Sequence, residues 1–364
     1  MWMGVEMLDS SVGLRWTDGH PILNMGIAGI TVFAKRARPE QITGQDMLDF
    51  LEWAKTAYFT KELTSWISVA FTSNFLNPGF SLEKKKTVLE EIFTSFSQPE
   101  TLEGVRCSFL DLPAQRYASR EWVPMLLGRE PTNFFPDGMA GLPVSGLAVT
   151  AFQGLSLASP IVGGRMVVLD CDDPALLLDI VQNWQDKIRS RIQLSHATGE
   201  KQGIWGSART RLIETLLELS RAVDRDAQGS VTLYHASNSG QRPDLNIYPL
   251  LAPVLNFLGK ARSVTYREAW QSLEGRYWYR EVRKDQDSNL ATRNTLYKAL
   301  FDLPLEAGAF IHRFFQFLIF SLLKAPEPVP KKGKKTKVLE RKTPPYVPLW
   351  NLLGLCCLNQ RGVS

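Results

Sequence analysis

The chain has 364 residues, of which 44% are hydrophobic and 22% are charged, and its formal net charge is +5. This composition is typical of a globular protein and excludes a disordered chain, which would have fewer apolar residues and more net charge. The 26 glycines and 21 prolines are too few for a collagen-like or low-complexity protein. The length allows two or three domains.

The sequence lacks the signals of a membrane span, a signal peptide or a disulfide framework. The most apolar stretch, residues 310–323, is interrupted by His312, Arg313 and Gln316, whereas a bilayer needs roughly 20 apolar residues. The first residues lack the basic and apolar regions of a signal peptide. Four cysteines are too few and too oddly spaced for a disulfide framework. We therefore expect a cytoplasmic protein without membrane contact.

The two halves of the chain differ in charge. Residues 1–180 have a net charge of −7, whereas residues 181–364 have +12. The lysine-rich segment 331–337 contributes five positive charges, and the second half stays at +7 without it. This asymmetry favours a polyanionic partner bound mainly by the second half, although basic helices exposed to water produce the same count.

In chain order, the first predicted elements are two amphipathic helices. One begins after Thr43, which can cap it, and the other begins after Ser81. Between them, residues 66–71 are predicted as a short strand or a buried segment. Residues 72–80 are predicted as a loop because they contain an Asn-Pro-Gly turn.

Further along, a segment rich in Gly, Pro and small residues at 131–160 precedes a buried strand at 164–170. Pro174 suits the first turn of a helix that runs to about residue 194. The remaining predicted elements are helices at about 207–223, 288–300 and 305–323 and a strand at 230–236.

Together these elements predict a helix-rich α+β fold with small sheets and no single regular superfold. Changes in composition divide the chain into four parts: an N-terminal α+β region at 1–130, a central mixed region with basic helices at 131–324, a basic Pro/Lys linker at 325–348 and a short tail at 349–364.

Motifs for zinc, nucleotide or serine chemistry are missing from the sequence. The histidines and cysteines have no metal-binding spacing, and neither a P-loop nor a G-x-S-x-G segment occurs. The best acidic candidate is the group Asp170, Asp172 and Asp173, which would suit a metal-dependent nuclease. A strand end followed by acids at a helix start accounts for the same three residues. We therefore expect a protein without enzymatic activity, metal or cofactor, with the nuclease as the alternative.

One loop with side chains suited to nucleic acid leads into a helix start. It holds Asn74 and Asn77 and is followed by Lys84, Lys85 and Lys86. Lysines at a helix start oppose the helix dipole, and a nearby phosphate would favour them. A solvated basic helix face explains them equally well.

A second such loop contains Asn238, Gln241 and Arg242, whose amide and guanidinium donors suit base edges and phosphates. A plain hairpin loop is an equal alternative. The basic and aromatic segment 276–284 suits stacking on bases, or else a strand with its aromatic residues in a core.

Four phrases of the sequence resemble one protein family. They are residues 16–28 (WTDGHPILNMGIA), 72–78, 133–136 with 141–146, and 231–241 with 244–248. Together they resemble the large subunit of type I-B CRISPR Cascade complexes, in the Cst-type branch of the Cas-eight family. Asn24 stands where the family usually has Asp, and the tail after Lys342 does not continue into the helical C-terminal region of the family.

The resemblance implies a non-catalytic subunit of a crRNA-guided surveillance complex that recognises the DNA duplex flanking the target (the PAM) and promotes R-loop formation. Guide pairing would select the target, while the protein inspects only the short flank. The implied partners are crRNA, target double-stranded DNA, the backbone, crRNA 5′-handle and small helical subunits, and a helicase-nuclease or transposition adaptor. The small subunit is expected to be a separate polypeptide. A scaffold that binds only protein is a further alternative.

Overall fold

The structure is a computed structural model, and it describes residues 8–71, 75–126, 140–202, 206–219, 229–237, 244–280 and 292–316. Helices and small separate sheets alternate along these residues, which confirms the predicted helix-rich α+β class. The chain forms two compact units, residues 1–208 with 232–248, and residues 209–231 with 249–364. The predicted boundaries at 130, 324 and 348 lie outside the described residues.

The first unit contains most of the described helices and two of the sheets. Its elements are α1 (Pro21–Phe33), α2 (Gly44–Ala57), α3 (Lys61–Ala70), α4 (Leu82–Thr94), β1 (Arg116–Ala118), β2 (Leu142–Val144), α5 (Gly146–Gln153), α6 (Leu155–Ala158), β3 (Ile161–Val162), β4 (Arg165–Cys171), α7 (Pro174–Thr198), β5 (Val231–Ser237) and β6 (Asp244–Leu250).

The second unit consists of short helices and one hairpin. Its elements are α8 (Ala208–Leu219), α9 (Ala252–Arg262), α10 (Arg267–Gly275), β7 (Trp278–Arg280), β8 (Thr292–Asn294), α11 (Thr295–Leu300) and α12 (Ala307–Ile311), which continues as a π-helical turn.

Helix α1 is apolar on every side and forms the centre of the first unit. All residues from Met25 to Val32 are buried, and the helix packs against α5, α6, α7 and β4. A Cβ atom at Gly29 would lie 2.2 Å from the carbonyl oxygen of Gly154, which joins α5 to α6. The backbones of the crossing segments therefore touch, and only glycine fits at this position.

Several predicted elements are confirmed, with local differences. Helix α2 begins after Thr43, whose Oγ1 accepts a hydrogen bond from the Asp46 amide while Asp46 accepts one from the Thr43 amide. Residues 66–70 are buried in part, as predicted, but they belong to helix α3 and not to a strand. The predicted helix at 288–300 is wrong at residues 292–294, which form β8; its described helical part is α11.

The four-stranded sheet of the first unit has the order β3-β4-β5-β6. Strands β3 and β4 pair antiparallel through a two-residue turn, in which Gly163 and Gly164 have φ angles of 58° and 78°. Glycine adopts both angles without strain, which suits the two-residue turn of a hairpin. Residues Met166 to Leu169 of β4 are buried, which confirms the predicted buried strand.

In the second unit, Asn294 links three elements. Its Oδ1 accepts from the amides of Leu296 and Tyr297 and so caps α11, and its Nδ2 donates to the Glu274 carbonyl at the end of α10. Its backbone N–H donates to Thr210 Oγ1 of α8 at 3.2 Å. Within the described part of the chain, no helix is both long and apolar enough to cross a bilayer.

Candidate nucleic-acid interface

The turn before α4 is held by the side chain of Asn77. Asn77 Oδ1 accepts from the Gly79 amide at 3.0 Å, and the Phe80 amide donates to the Asn77 carbonyl at 3.0 Å. An asparagine that bonds the backbone two residues later favours a tight turn. Asn77 is exposed, so this predicted DNA contact lies at the surface while its oxygen holds the turn.

The N-terminal end of α4 follows directly and is open to solvent. Ser81 caps the helix, and its Oγ accepts from the Lys84 amide at 3.2 Å. Leu82, the first helical residue, is 58% exposed, so no apolar packing covers this end. Glu83 is the acidic residue of the first turn, and its charge complements the helix dipole.

The three predicted lysines leave α4 in different directions. Successive residues of an α-helix are about 100° apart around the axis. Lys84 and Lys86 are exposed, whereas Lys85 is half-buried because it lies one turn before the buried Leu89. Helical side chains tilt toward the N-terminus. The three side chains therefore leave the start of α4 over an arc of about 200° and do not form a patch on one side of it.

Lys84 contacts the aromatic ring of Phe80. Its Nζ lies 3.9 Å from the ring centroid, which is a cation–π contact. The contact keeps one ammonium beside the turn of Asn77, since Phe80 belongs to that turn. Reasoning from the sequence missed the role of Phe80; an aromatic residue four positions before a lysine was the available signal.

The other predicted DNA contacts lie outside the residues that the structure describes. Asn74 precedes the turn but lies outside the described residues, as do Asn238, Gln241 and Arg242 of the second loop. Their part in binding therefore stays a prediction. We call the described part, Asn77 with Lys84, Lys85 and Lys86, the α4 surface.

The acidic group between β4 and α7 is built as part of the strand–helix connection. Asp173 is the N-cap of α7, and its Oδ1 accepts from the Ala175 amide at 2.9 Å. Burial and the charge of Asp172 raise the pKa of Asp170, and burial raises the pKa of the Cys171 thiol. Nowhere in the described residues do three acidic, histidine or cysteine side chains form a group that could hold a metal ion. Asp170, Asp172 and Asp173 are therefore not such a group among the described residues.

The aromatic segment at 276–280 is partly structural. Tyr277 is half-buried, its hydroxyl donates to the Phe314 carbonyl at 3.2 Å, and its ring meets the Phe314 ring edge-on at 4.7 Å. Trp278 is 40% exposed and lies in β7, which pairs with β8. The first ring is thus used in packing, and the second meets the Tyr297 ring edge-on at 5.7 Å while part of it stays exposed. Residues 281–284 lie outside the described residues.

No protein-family model, no curated protein and no solved structure matches the chain.

Proposed function

We propose that the chain is a non-catalytic, nucleic-acid-binding subunit of a crRNA-guided type I surveillance complex, and that it contacts the DNA duplex flanking the target and promotes R-loop formation. The observation that carries the proposal is the α4 surface, where three lysines lie in the first two turns of a helix with an exposed N-terminus that follows an exposed asparagine. The sequence phrases that resemble the large subunit of type I-B complexes supply the class of complex.

The α4 surface has the parts that a phosphate backbone needs. Ammonium groups replace the counterions of the phosphates, and exposed backbone N–H groups at a helix N-terminus are donors that suit phosphate oxygens. Such contacts fix the position of a protein on a duplex without selecting a sequence. Recognition of the flank would then depend on few amide contacts, of which the Asn77 side chain is one, and target choice would rest on guide pairing.

The test removes the three charges and compares two variants of the complete complex. In the first, Lys84, Lys85 and Lys86 are replaced by Ala; in the second, the matched control, they are replaced by Arg. Affinity for a duplex with the flank is measured over a range of salt concentrations. Each phosphate that is no longer neutralised should reduce the slope of log affinity against log salt by about 0.9. The Ala variant should therefore bind more weakly and with a smaller slope, while the Arg variant keeps the slope of the wild type.

Three results would contradict the proposal. Equal salt slopes for the Ala variant and the wild type would remove the α4 surface as a phosphate contact. Purification of the untagged complex without any short RNA would contradict the guide-dependent function. The absence of nucleic-acid binding at low salt would favour the scaffold that binds only protein.

A further inference from the structure

The hairpin of β7 and β8 holds a tryptophan at the surface of the second unit. Trp278, the first residue of β7, pairs with Asn294 of β8, and 40% of the tryptophan is exposed. Tryptophan is highly buried on average in folded proteins. The Tyr297 ring meets the indole edge-on at 5.7 Å and can cover no more than one of its two faces. Part of the indole is therefore open to a ligand.

The indole packs on neighbours that are fixed in place. Tyr297 is 1% exposed, and its hydroxyl donates a hydrogen bond to the Glu274 carboxylate. The backbone N–H of Thr295, at the start of α11, donates to the Tyr277 carbonyl at 3.0 Å and so links α11 to the residue before Trp278. A preorganised side chain with few rotatable bonds loses little conformational entropy when a ligand packs on it. Trp278 therefore suits a planar ligand that stacks on its ring.

The chain around the hairpin is basic. Residues 276–301 contain six basic and three acidic residues. All three acidic residues lie in 281–287, outside the described part, so the described residues of the hairpin and of α11 carry positive charge alone. Glu274, which precedes them, is half-buried and bonded to Tyr297. A ligand beside the indole should therefore carry negative charge.

Two exposed cations lie next to β7. Arg276 directly follows α10 and lies two residues before Trp278. Lys298 belongs to α11 and lies three residues after Thr295. Residues three apart are neighbours on one side of a helix, so Lys298 lies on the side of α11 that is bonded to the Tyr277 carbonyl.

Single-stranded nucleic acid combines the two properties that this surface requires. Its bases are planar rings that stack on aromatic side chains, and its phosphates pair with cations. In a duplex the bases stack on one another, so their faces are closed to an indole. An acidic peptide would supply the charge alone.

We propose that Trp278 stacks on a base of single-stranded nucleic acid and that Arg276 and Lys298 bind the neighbouring phosphates. Stacking accepts every base, so the site recognises an unpaired strand and not a sequence. The site belongs to the second unit, whereas the α4 surface belongs to the first. The site extends the proposed function and rests on it for the source of the strand, which is either DNA released from the opened duplex or RNA.

The first test measures binding of a short oligothymidylate to the full-length chain. Trp278→Leu keeps an apolar side chain against Tyr297 but has no ring, and Trp278→Phe is the matched control that keeps one. Loss of one stacked base should weaken binding by the Leu variant about 5- to 150-fold, whereas the Phe variant should retain most of the affinity. Equal affinities of the Leu and Phe variants overturn the proposal.

An abasic strand with the same number of phosphates separates stacking from charge and from folding. The wild type and the Trp278→Leu variant should bind the abasic strand equally, because it has no base to stack on the indole. An equal loss of affinity for both strands would mean that the substitution acts on the fold of the hairpin, and it overturns the proposal.

The salt dependence of oligothymidylate binding tests the two cations. Arg276→Gln together with Lys298→Gln should reduce the slope of log affinity against log salt by about 0.7 for each phosphate that is no longer neutralised on a single strand. Arg276→Lys together with Lys298→Arg is the matched control, and Trp278→Leu should leave the slope unchanged because it removes no charge. A wild-type slope in the Gln variant overturns the phosphate contacts.

Two comparisons separate this site from the α4 surface and identify the strand. If Trp278→Leu loses oligothymidylate binding and keeps duplex binding, the site stands whether or not the α4 surface contacts a duplex. If Ala at Lys84, Lys85 and Lys86 removes oligothymidylate binding and Trp278→Leu does not, the single strand binds at the α4 surface and the proposal is overturned. Tighter binding of oligothymidylate than of oligouridylate would identify DNA as the strand, and the reverse would identify RNA.

Discussion

At the scale of single residues, His20 is a titratable group that caps a core helix. Its Nδ1 accepts from the Leu23 amide at 3.1 Å and so caps α1. Its ring meets Phe109 and Phe152 edge-on, with centroids 4.7 Å and 5.9 Å away. Burial lowers the pKa of His20 below its usual 6.5. A protonated ring would lose its acceptor and place a positive charge at the positive end of the helix dipole.

We predict that acid weakens the fold through His20. The folded-state pKa lies below the unfolded value, so the unfolded chain binds more protons in the window between the two. The contribution is complete above about pH 6.5 and is lost as the pH falls toward the folded-state pKa. His20→Asn keeps a capping acceptor but does not titrate. Its free energy of unfolding, measured with urea at about pH 7.5 and pH 5, should fall less than that of the wild type; equal falls would contradict the prediction.

Asn77 shows how far a single residue can be interpreted from sequence. Its type and its place beside a lysine run predict a DNA contact, and the structure places it on the surface next to those lysines. The sequence also predicts a turn at the same residues, and Asn77 Oδ1 holds that turn through the Gly79 amide. The turn is confirmed and the DNA contact stays a prediction, with the side-chain oxygen already used in the fold.

At the scale of elements, local signals decide which parts of the fold the sequence predicts. Helix α2 has a capping residue and one apolar stripe, β4 is a run of four apolar residues, and α7 begins with a proline after an aspartate cap. Each signal lies within the element itself. Helices α1 and α5 are buried on all sides, so they have no polar face and no helical period to detect. Their form depends on contacts that are distant in sequence.

The crossing of α1 with the α5–α6 junction gives a test at this scale. Gly29→Ala would place a methyl carbon about 2.2 Å from the Gly154 carbonyl oxygen, and backbone cannot yield as a flexible side chain can. The variant should lose about 3 kcal/mol or more of unfolding free energy. Gly259→Ala, in the exposed side of α9, meets nothing within 4 Å and should gain about 0.5–1 kcal/mol from helix propensity. Chemical unfolding of both variants measures the difference.

Two results would contradict the predictions for Gly29→Ala and Gly259→Ala. A Gly29→Ala variant within about 0.5 kcal/mol of the wild type, which is the usual range for surface substitutions, would mean that the two segments are farther apart than 2.2 Å implies. A loss of stability in Gly259→Ala would show that α9 is covered at that residue.

Some features of the candidate site can be predicted from neighbouring residues, whereas others depend on the folded structure. Ser81 and the lysine run adjoin each other in the sequence, so the start of α4 and its charge could be predicted together. The spread of the lysines around the helix end depends on helical geometry, and the cation–π contact depends on how the preceding turn folds back. Neither follows from composition.

At the scale of the whole molecule, the α4 surface is a positive region within a negative half. The first 180 residues have a net charge of −7, so the three adjacent lysines are a local positive charge in a mainly negative part of the chain. The positive excess of +12 lies in the second half, and five of its charges belong to the segment 331–337, outside the described residues. Long-range attraction of a polyanion and local contact with it would then come from different parts of the chain.

The lysine segment therefore should strengthen DNA binding without being required for it. In a variant with Lys331, Lys332, Lys334, Lys335 and Lys337 replaced by Gln, the second half keeps a net charge of +7 and the α4 surface is unchanged. We expect weaker duplex binding and a smaller salt slope, by about 0.9 for each phosphate that the lysines no longer neutralise, but a slope that stays above zero. Adding Ala at Lys84, Lys85 and Lys86 should reduce the slope again by the amount that those three substitutions cause alone, which is the result expected of two lysine groups that bind separate phosphates. Complete loss of binding in the five-residue variant would show that the lysine segment is required for binding. No change in its salt slope would show that the segment neutralises no phosphate.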